Sequence, residues 1–215
     1  MFVRSKQVAV LTLVLAIPAL ALAAAPNKAE KVAQGMLKFD QSLSEATAQI
    51  DRTLNAMNAM TKPEANLVDS YKVFTKEVDN LDKMAQKAKA NSEKMSAQRD
   101  EYLKQWQASQ ANIQNAQLKA TSEARRAELA PKIEAIKSSF SSASTTFKPF
   151  MQDLKDLRVF LGNSLNPSGV ASASELMTKC NTDGASVKAD IQKGSAALKD
   201  LAGSIQPGGP APAKK

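Results

Sequence analysis

The chain is predicted to be all-α, an antiparallel helical bundle of about four long helices with a projecting two-helix coiled-coil hairpin. Three observations predict this. Apolar residues recur at alternating steps of three and four in four successive segments, a spacing that keeps one stripe of a helix turned toward a partner. No run alternates at every second residue, as a half-buried strand would require. The chain is also 43% hydrophobic with only 5% aromatic residues, so its core rests on Leu, Ile, Val, Met and Ala, three of which (Ala, Leu and Met) are among the strongest helix formers.

The elements follow in order from the N-terminus. Residues 1–7 carry Arg4 and Lys6 and no acid, Val8 to Ala23 is free of charge, and Ala21-Leu22-Ala23 has the small-x-small spacing of a cleavage site. This reads as a secretory signal peptide over residues 1–23. A retained anchor is the alternative, at the short limit for spanning a bilayer. No Cys stands near the exit to take a lipid. The helical bundle is expected over residues 27–205, and QPGGPAPAKK at 206–215 reads as a disordered tail.

The first seam passes through Val32, Met36, Phe39, Leu43, Ala46, Ile50, Thr53, Met57 and Met60, with Thr53 its one polar member. The second runs from Leu67 through Tyr71, Phe74, Val78, Leu81, Ala85, Ala88, Ser92, Met95, Arg99, Tyr102, Trp106 and Ser109 to Ile113. A third joins Leu129, Ile133, Ile136, Phe140, Ala143, Phe147, Phe150, Leu154, Leu157 and Leu161, and a fourth links Val170, Ala173, Met177, Cys180, Gly184, Val187, Ile191, Gly194, Leu198, Leu201 and Ile205. Gly184 and Gly194 either admit a close neighbour or mark a weak last helix. Cys180, the single cysteine, has no partner for an internal disulfide and is expected to be a buried thiol.

Candidate caps are Asn27 with Glu30, Thr61 with Glu64 and Ser172 with Glu175, each a cap residue followed three positions later by Glu. Pro63 then falls in a first turn, and Asn166-Pro167-Ser168-Gly169 is a turn. A register slip places a connection within Asn112 to Ser122, while Pro131 and Pro149 fall inside the third helix and are expected to kink it. Matching segment lengths gives a second helix of about 50 residues and a third of about 40. It leaves residues 98–136 as the hairpin, projecting on the order of 30 Å.

The residue inventory argues against most enzymes. The chain has no histidine, which removes Ser–His and Cys–His pairs, imidazole bases and most zinc sites. It has no phosphate-cradling Gly-rich run followed by Lys-Ser/Thr. The carboxylate clusters Asp79/Asp82, Asp100/Glu101 and Asp153/Asp156 each have Lys or Arg within a turn, as solvated helix faces do. No catalytic, cofactor-binding or metal-binding residue is therefore assigned, and no cofactor is expected. Net charge is +8, spread along the chain, and no nucleic-acid partner is expected of an exported protein. The candidate contact surface is the hairpin tip at Leu118, Lys119, Arg125 and Arg126, where Lys119, Arg125, Arg126 and Lys132 oppose Glu123 and Glu128 and give a slightly basic end beside Leu118.

The stretch from Trp106 to Ala171 resembles the 2959 family of bacterial domains of unknown function. The resemblance rests on Trp106, on Leu118 and Ser122 in a Leu-x3-Ser element, on Phe147-Lys148-Pro149, and on Leu161, Leu165 and Asn166. Gly162-Asn163 stands where family members often have Lys-His, and those members tend to be more acidic. The resemblance implies an all-helical envelope protein and no particular activity.

The functional expectation is a non-enzymatic secreted or periplasmic interaction protein, a spacer, adaptor or scaffold with a protein partner in the cell envelope. The alternatives are a periplasmic holdase-type chaperone, whose known basic members add a β-rich body that no run here could build, and a peripheral membrane-binding protein. Oligomeric state is not encoded in any of these features.

Overall fold

The computed structural model describes residues 26–206, and every regular element among them is a helix. The signal peptide expected over residues 1–23, and the expected tail beyond residue 206, lie outside the described residues. Among those that are described, no helix is long and apolar enough to cross a membrane. The elements are α1 (Pro26–Ala59), α2 (Leu67–Gln110), α3 (Ala116–Asn163), α4 (Pro167–Ser172) and α5 (Ser174–Ile205). Around the bundle, α1 packs between α2 and α5, and α5 packs in turn on α3. The α2–α3 contact that closes the ring is the thinnest of the four.

The four seams form one core. Every named member of the first and fourth seams is buried, Thr53 included. Thr53 is tolerated because its hydroxyl lies 2.9 Å from the Gln49 carbonyl one turn back and 3.1 Å from the Glu77 carbonyl of α2. Gln49, also buried, donates to the Glu77 carboxylate at 2.6 Å and accepts from Arg52. A buried polar group costs little when its hydrogen bonds are made inside the protein. The second seam is buried at Phe74, Val78, Leu81, Met95, Tyr102 and Trp106 but only half-buried at Leu67, Ala85, Ala88, Ser92 and Ile113, and Phe140 and Phe147 of the third are half-buried opposite its middle.

Gly184 and Gly194 mark close packing, not a weak helix. A β-carbon on Gly184 would lie 2.8 Å from Leu54 Cδ1, and one on Gly194 would lie 2.6 Å from the Phe140 ring. Both glycines are buried inside α5, which is continuous from Ser174 to Ile205. α3 likewise runs without interruption through Pro131 and Pro149.

The helix ends differ from the expected caps. Asn66, not Thr61, caps α2: its side chain accepts from the Asp69 amide, and its Nδ2 donates to the Asp69 carboxylate at 2.8 Å. Thr61, Pro63 and Glu64 belong to the turn before it. The reciprocal Asn66–Asp69 bonds satisfy the helix start, whereas a helix capped by Thr61 would need residues 62–66 to be helical, and they form the turn. Asn27 is already inside α1, which begins at Pro26. Ser172 is the last residue of α4 and donates to the Ser168 carbonyl. The cap there is Asn166, which accepts from the Gly169 amide with Pro167 in the first turn. α5 starts with no side-chain cap.

The projection is shorter than length matching predicts. Lys28 at the start of α1 reaches Gln105 at 2.7 Å, and near the end of α5 Ser204 receives Arg125 and Lys132. Four helices therefore run side by side up to residues 105 and 125. Only about residues 106–124 extend beyond them, on the order of 10 Å. The difference arises at the turn after α1. Residues 60–66 shift α2 along α1 by several positions, and the connection at 111–115 comes early, so α2 has 44 residues and α3 has 48.

Candidate functional site

The α2–α3 turn is built by local chemistry. α2 ends at Gln110, and Asn115 caps α3 by accepting from the Leu118 amide at 3.0 Å. Beneath the turn Trp106 is buried, and its indole N–H donates to Ser122 Oγ at 3.0 Å. The Tyr102 ring lies 5.8 Å from the indole, and burial raises the Tyr102 pKa above its ordinary value. Gln110 is also buried, with its Nε2 lacking a partner among the described residues. Tyr102, Trp106, Gln110 and Ser122 thus close the end of the bundle, and residues 114–121 stand outside it, all exposed.

The four expected contact residues separate into two groups. Leu118 is 46% exposed and Lys119 is exposed beside it, both in the first turn of α3. Arg125 lies farther down α3, half-buried, and donates to the Ser204 carbonyl at 3.2 Å. Lys132 reaches the Ser204 hydroxyl at 2.8 Å and Asp200 at 2.8 Å. These two cations serve the C-terminal end of α5, where the helix dipole and unpaired carbonyls favour positive charge. Arg126 points the other way, into the shallow α2–α3 groove with Asp100, Lys104 and Glu123. The turn therefore presents Leu118 and Lys119, and the arginines flank the bundle below it. The capping role of Arg125 was not legible in the sequence, because its partner lies 79 residues away.

Three of the cluster carboxylates form ion pairs across helices, one pairs with its neighbour, and Glu101 and Asp156 accept only from Gln105 and Gln152 of their own helices. Asp79 holds Arg158 at 2.6 Å, Asp82 holds Lys155 at 2.8 Å and Asp153 holds Lys179 at 2.6 Å. The hydrogen bond from Lys155 lowers the Asp82 pKa below its ordinary value, and the hydrogen bonds to Asp153 and Asp183 raise that of Lys179. Asp100 pairs with its neighbour Arg99 at 2.8 Å. Among the described residues no three His, Cys, Asp or Glu side chains gather as a metal site. Cys180 is fully buried on α5, and burial pushes its thiol pKa up to about 12, which keeps it protonated and unreactive.

A family model described as a protein of unknown function (DUF2959) matches residues 24–201, well beyond the segment that carries the resemblance in sequence. No curated protein matches the chain. No solved structure matches it.

Proposed function

The chain belongs to the DUF2959 family, whose description assigns no activity, and on that footing we propose that it is a non-enzymatic interaction protein of the cell envelope. In this reading the N-terminal leader exports it, and the bundle is a rod that presents the α2–α3 turn to a protein partner. The observation that carries the reading is the contrast at that turn. Leu118 and Lys119 are exposed, while Tyr102, Trp106 and Ser122 directly below are buried, with the Trp106 indole bonded to Ser122. An exposed Leu beside a Lys on a preorganised turn suits a small apolar contact with an acidic rim. α1 begins and α5 ends at this end of the bundle, so a leader kept as an anchor would hold the turn close to a membrane.

The test is a photo-crosslinking residue placed at Leu118 in cells that make the full chain. One discrete protein adduct is expected, and Leu118→Asp with Lys119→Glu, crosslinked from position 121, should remove it while helicity is retained. No adduct above background, or an adduct that survives the double change, would overturn the reading.

A further inference from the structure

Midway along the bundle, α2 and α3 do not meet, and the space between them is a cavity of about 270 Å³ open on that side. Its cause is composition. Where the second seam should fill the gap it carries Ala85, Ala88 and Ser92, and the facing turn of α3 carries Ala143 and Ser144. The walls are apolar and come from all four long helices, with Phe39, Ile50, Leu81, Phe140, Phe147 and Val187 among them. Phe140 and Phe147 lie on a helix seam yet are only half-buried, because the surface they present faces this space.

Polar groups gather at the mouth alone: Lys89, Ser92 and Glu93 on α2 and Ser144 on α3. Lys89 is exposed, and its nearest acid, Glu93, lies 4.0 Å away with both side chains largely in water, a pairing too weak to hold the ammonium. The α3 residues that line the other lip, Phe140, Ala143, Ser144 and Phe147, carry no charge; Lys148 follows them directly, and Lys137 pairs with Glu134 at 3.6 Å. An apolar pocket with a few polar groups at one side is the usual form of a small-ligand site. Lys89, only weakly held by Glu93, is the lining cation that can meet an anionic headgroup.

We propose that this cavity binds one alkyl chain bearing an anionic headgroup, with the chain between α2 and α3 and the headgroup at Lys89. An apolar cavity of ~150 Å³ holds benzene, so the volume here suits a chain of about ten carbons and is too small for a two-tailed lipid. The site is separate from the α2–α3 turn, and each can fail without the other.

Calorimetric titration of the full chain with decanoate and with decanol tests it. Decanoate should bind at one equivalent, and decanol at least about threefold more weakly. Lys89→Gln should bring the two together. Ala88→Leu and Ala143→Leu, which fill the cavity, should each weaken decanoate by at least about tenfold with the melting temperature maintained or raised. A series of carboxylates on the unaltered protein needs no variant to fold: affinity should rise with length and level off near ten carbons. Absence of saturable binding, equal affinity for decanoate and decanol, unchanged affinity in the folded Leu variants, or a steady rise with chain length would each overturn the proposal.

Discussion

The indole of Trp106 donates to the hydroxyl of Ser122 at 3.0 Å, and this buried bond ties α2 to α3 just below their connecting turn. The two residues are sixteen positions apart and fix where the hairpin closes. Ser122→Ala leaves the indole N–H buried without an acceptor, which should cost about 1–3 kcal/mol in denaturant unfolding. Trp106→Phe in the Ser122→Ala background should cost less than the sum of the two single changes, because the orphaned donor is gone. Additive costs would mean that the bond is not what joins the helices there.

Two glycines of α5 should respond in opposite directions. At Gly194 a side chain must displace the Phe140 ring, so Gly194→Leu is expected to destabilise by about 1–3 kcal/mol. At Gly203 a β-carbon meets nothing within 4 Å, and Gly203→Ala should stabilise by about 0.4–1 kcal/mol through the unfolded chain. Melting temperatures of the two variants measure both, and a stabilising Gly194→Leu would contradict the close α3–α5 packing.

Two phenylalanines on the third seam differ in what surrounds them. Phe150 is fully buried, whereas Phe147 borders the α2–α3 cavity and is half-buried. Phe150→Asp should therefore unfold the bundle, since an unpaired charge would be enclosed on all sides. Phe147→Asp can reach water through the opening and should keep helical circular dichroism with a lowered melting temperature. Equal loss of structure in both would place Phe147 in the closed core.

Cys180 supplies the pH test. Its thiol is held at about 12 in the folded chain, chiefly by burial and then by Asp153, against 9.0 for an ordinary thiol. The folded state thus keeps a proton that the unfolded state loses above pH 9. The resulting stability is complete below 9.0 and declines as pH rises toward 12. Cys180→Ala should flatten that alkaline decline relative to the parent chain between pH 8 and 10. A disulfide reagent should label Cys180 only when denaturant is present, and rapid labelling of the native protein at pH 8 would show the thiol to be accessible.

Much of the fold was legible along the chain because a helix seam is a local, periodic property. The first and fourth seams are buried throughout, and the turn at Asn166-Pro167 is where its dipeptide places it. Capping was read less well, because Thr61 with Glu64 and Asn66 with Asp69 offer the same pattern five residues apart and local pattern does not rank them, while Asn166 has Gly169, not an acid, three positions on. Of the candidate contact residues, Leu118 and Lys119 stand free on the turn, but Arg125 is taken by α5, a partner no local window contains.

Sequence alone determined that the chain is helical, which face of each helix is apolar, and that it has no histidine to support imidazole chemistry. Tertiary structure alone decided how far each helix slides along its neighbour, and so how much of the α2–α3 hairpin stands clear. It also decided that the small residues at 85, 88, 92 and 143 meet at one level and leave a cavity. The physical reason is that heptad periodicity specifies which side of a helix packs but is nearly the same after a shift of one heptad. Axial register is chosen only when bulky and small side chains from different helices, such as Phe140 and Gly194, are brought together.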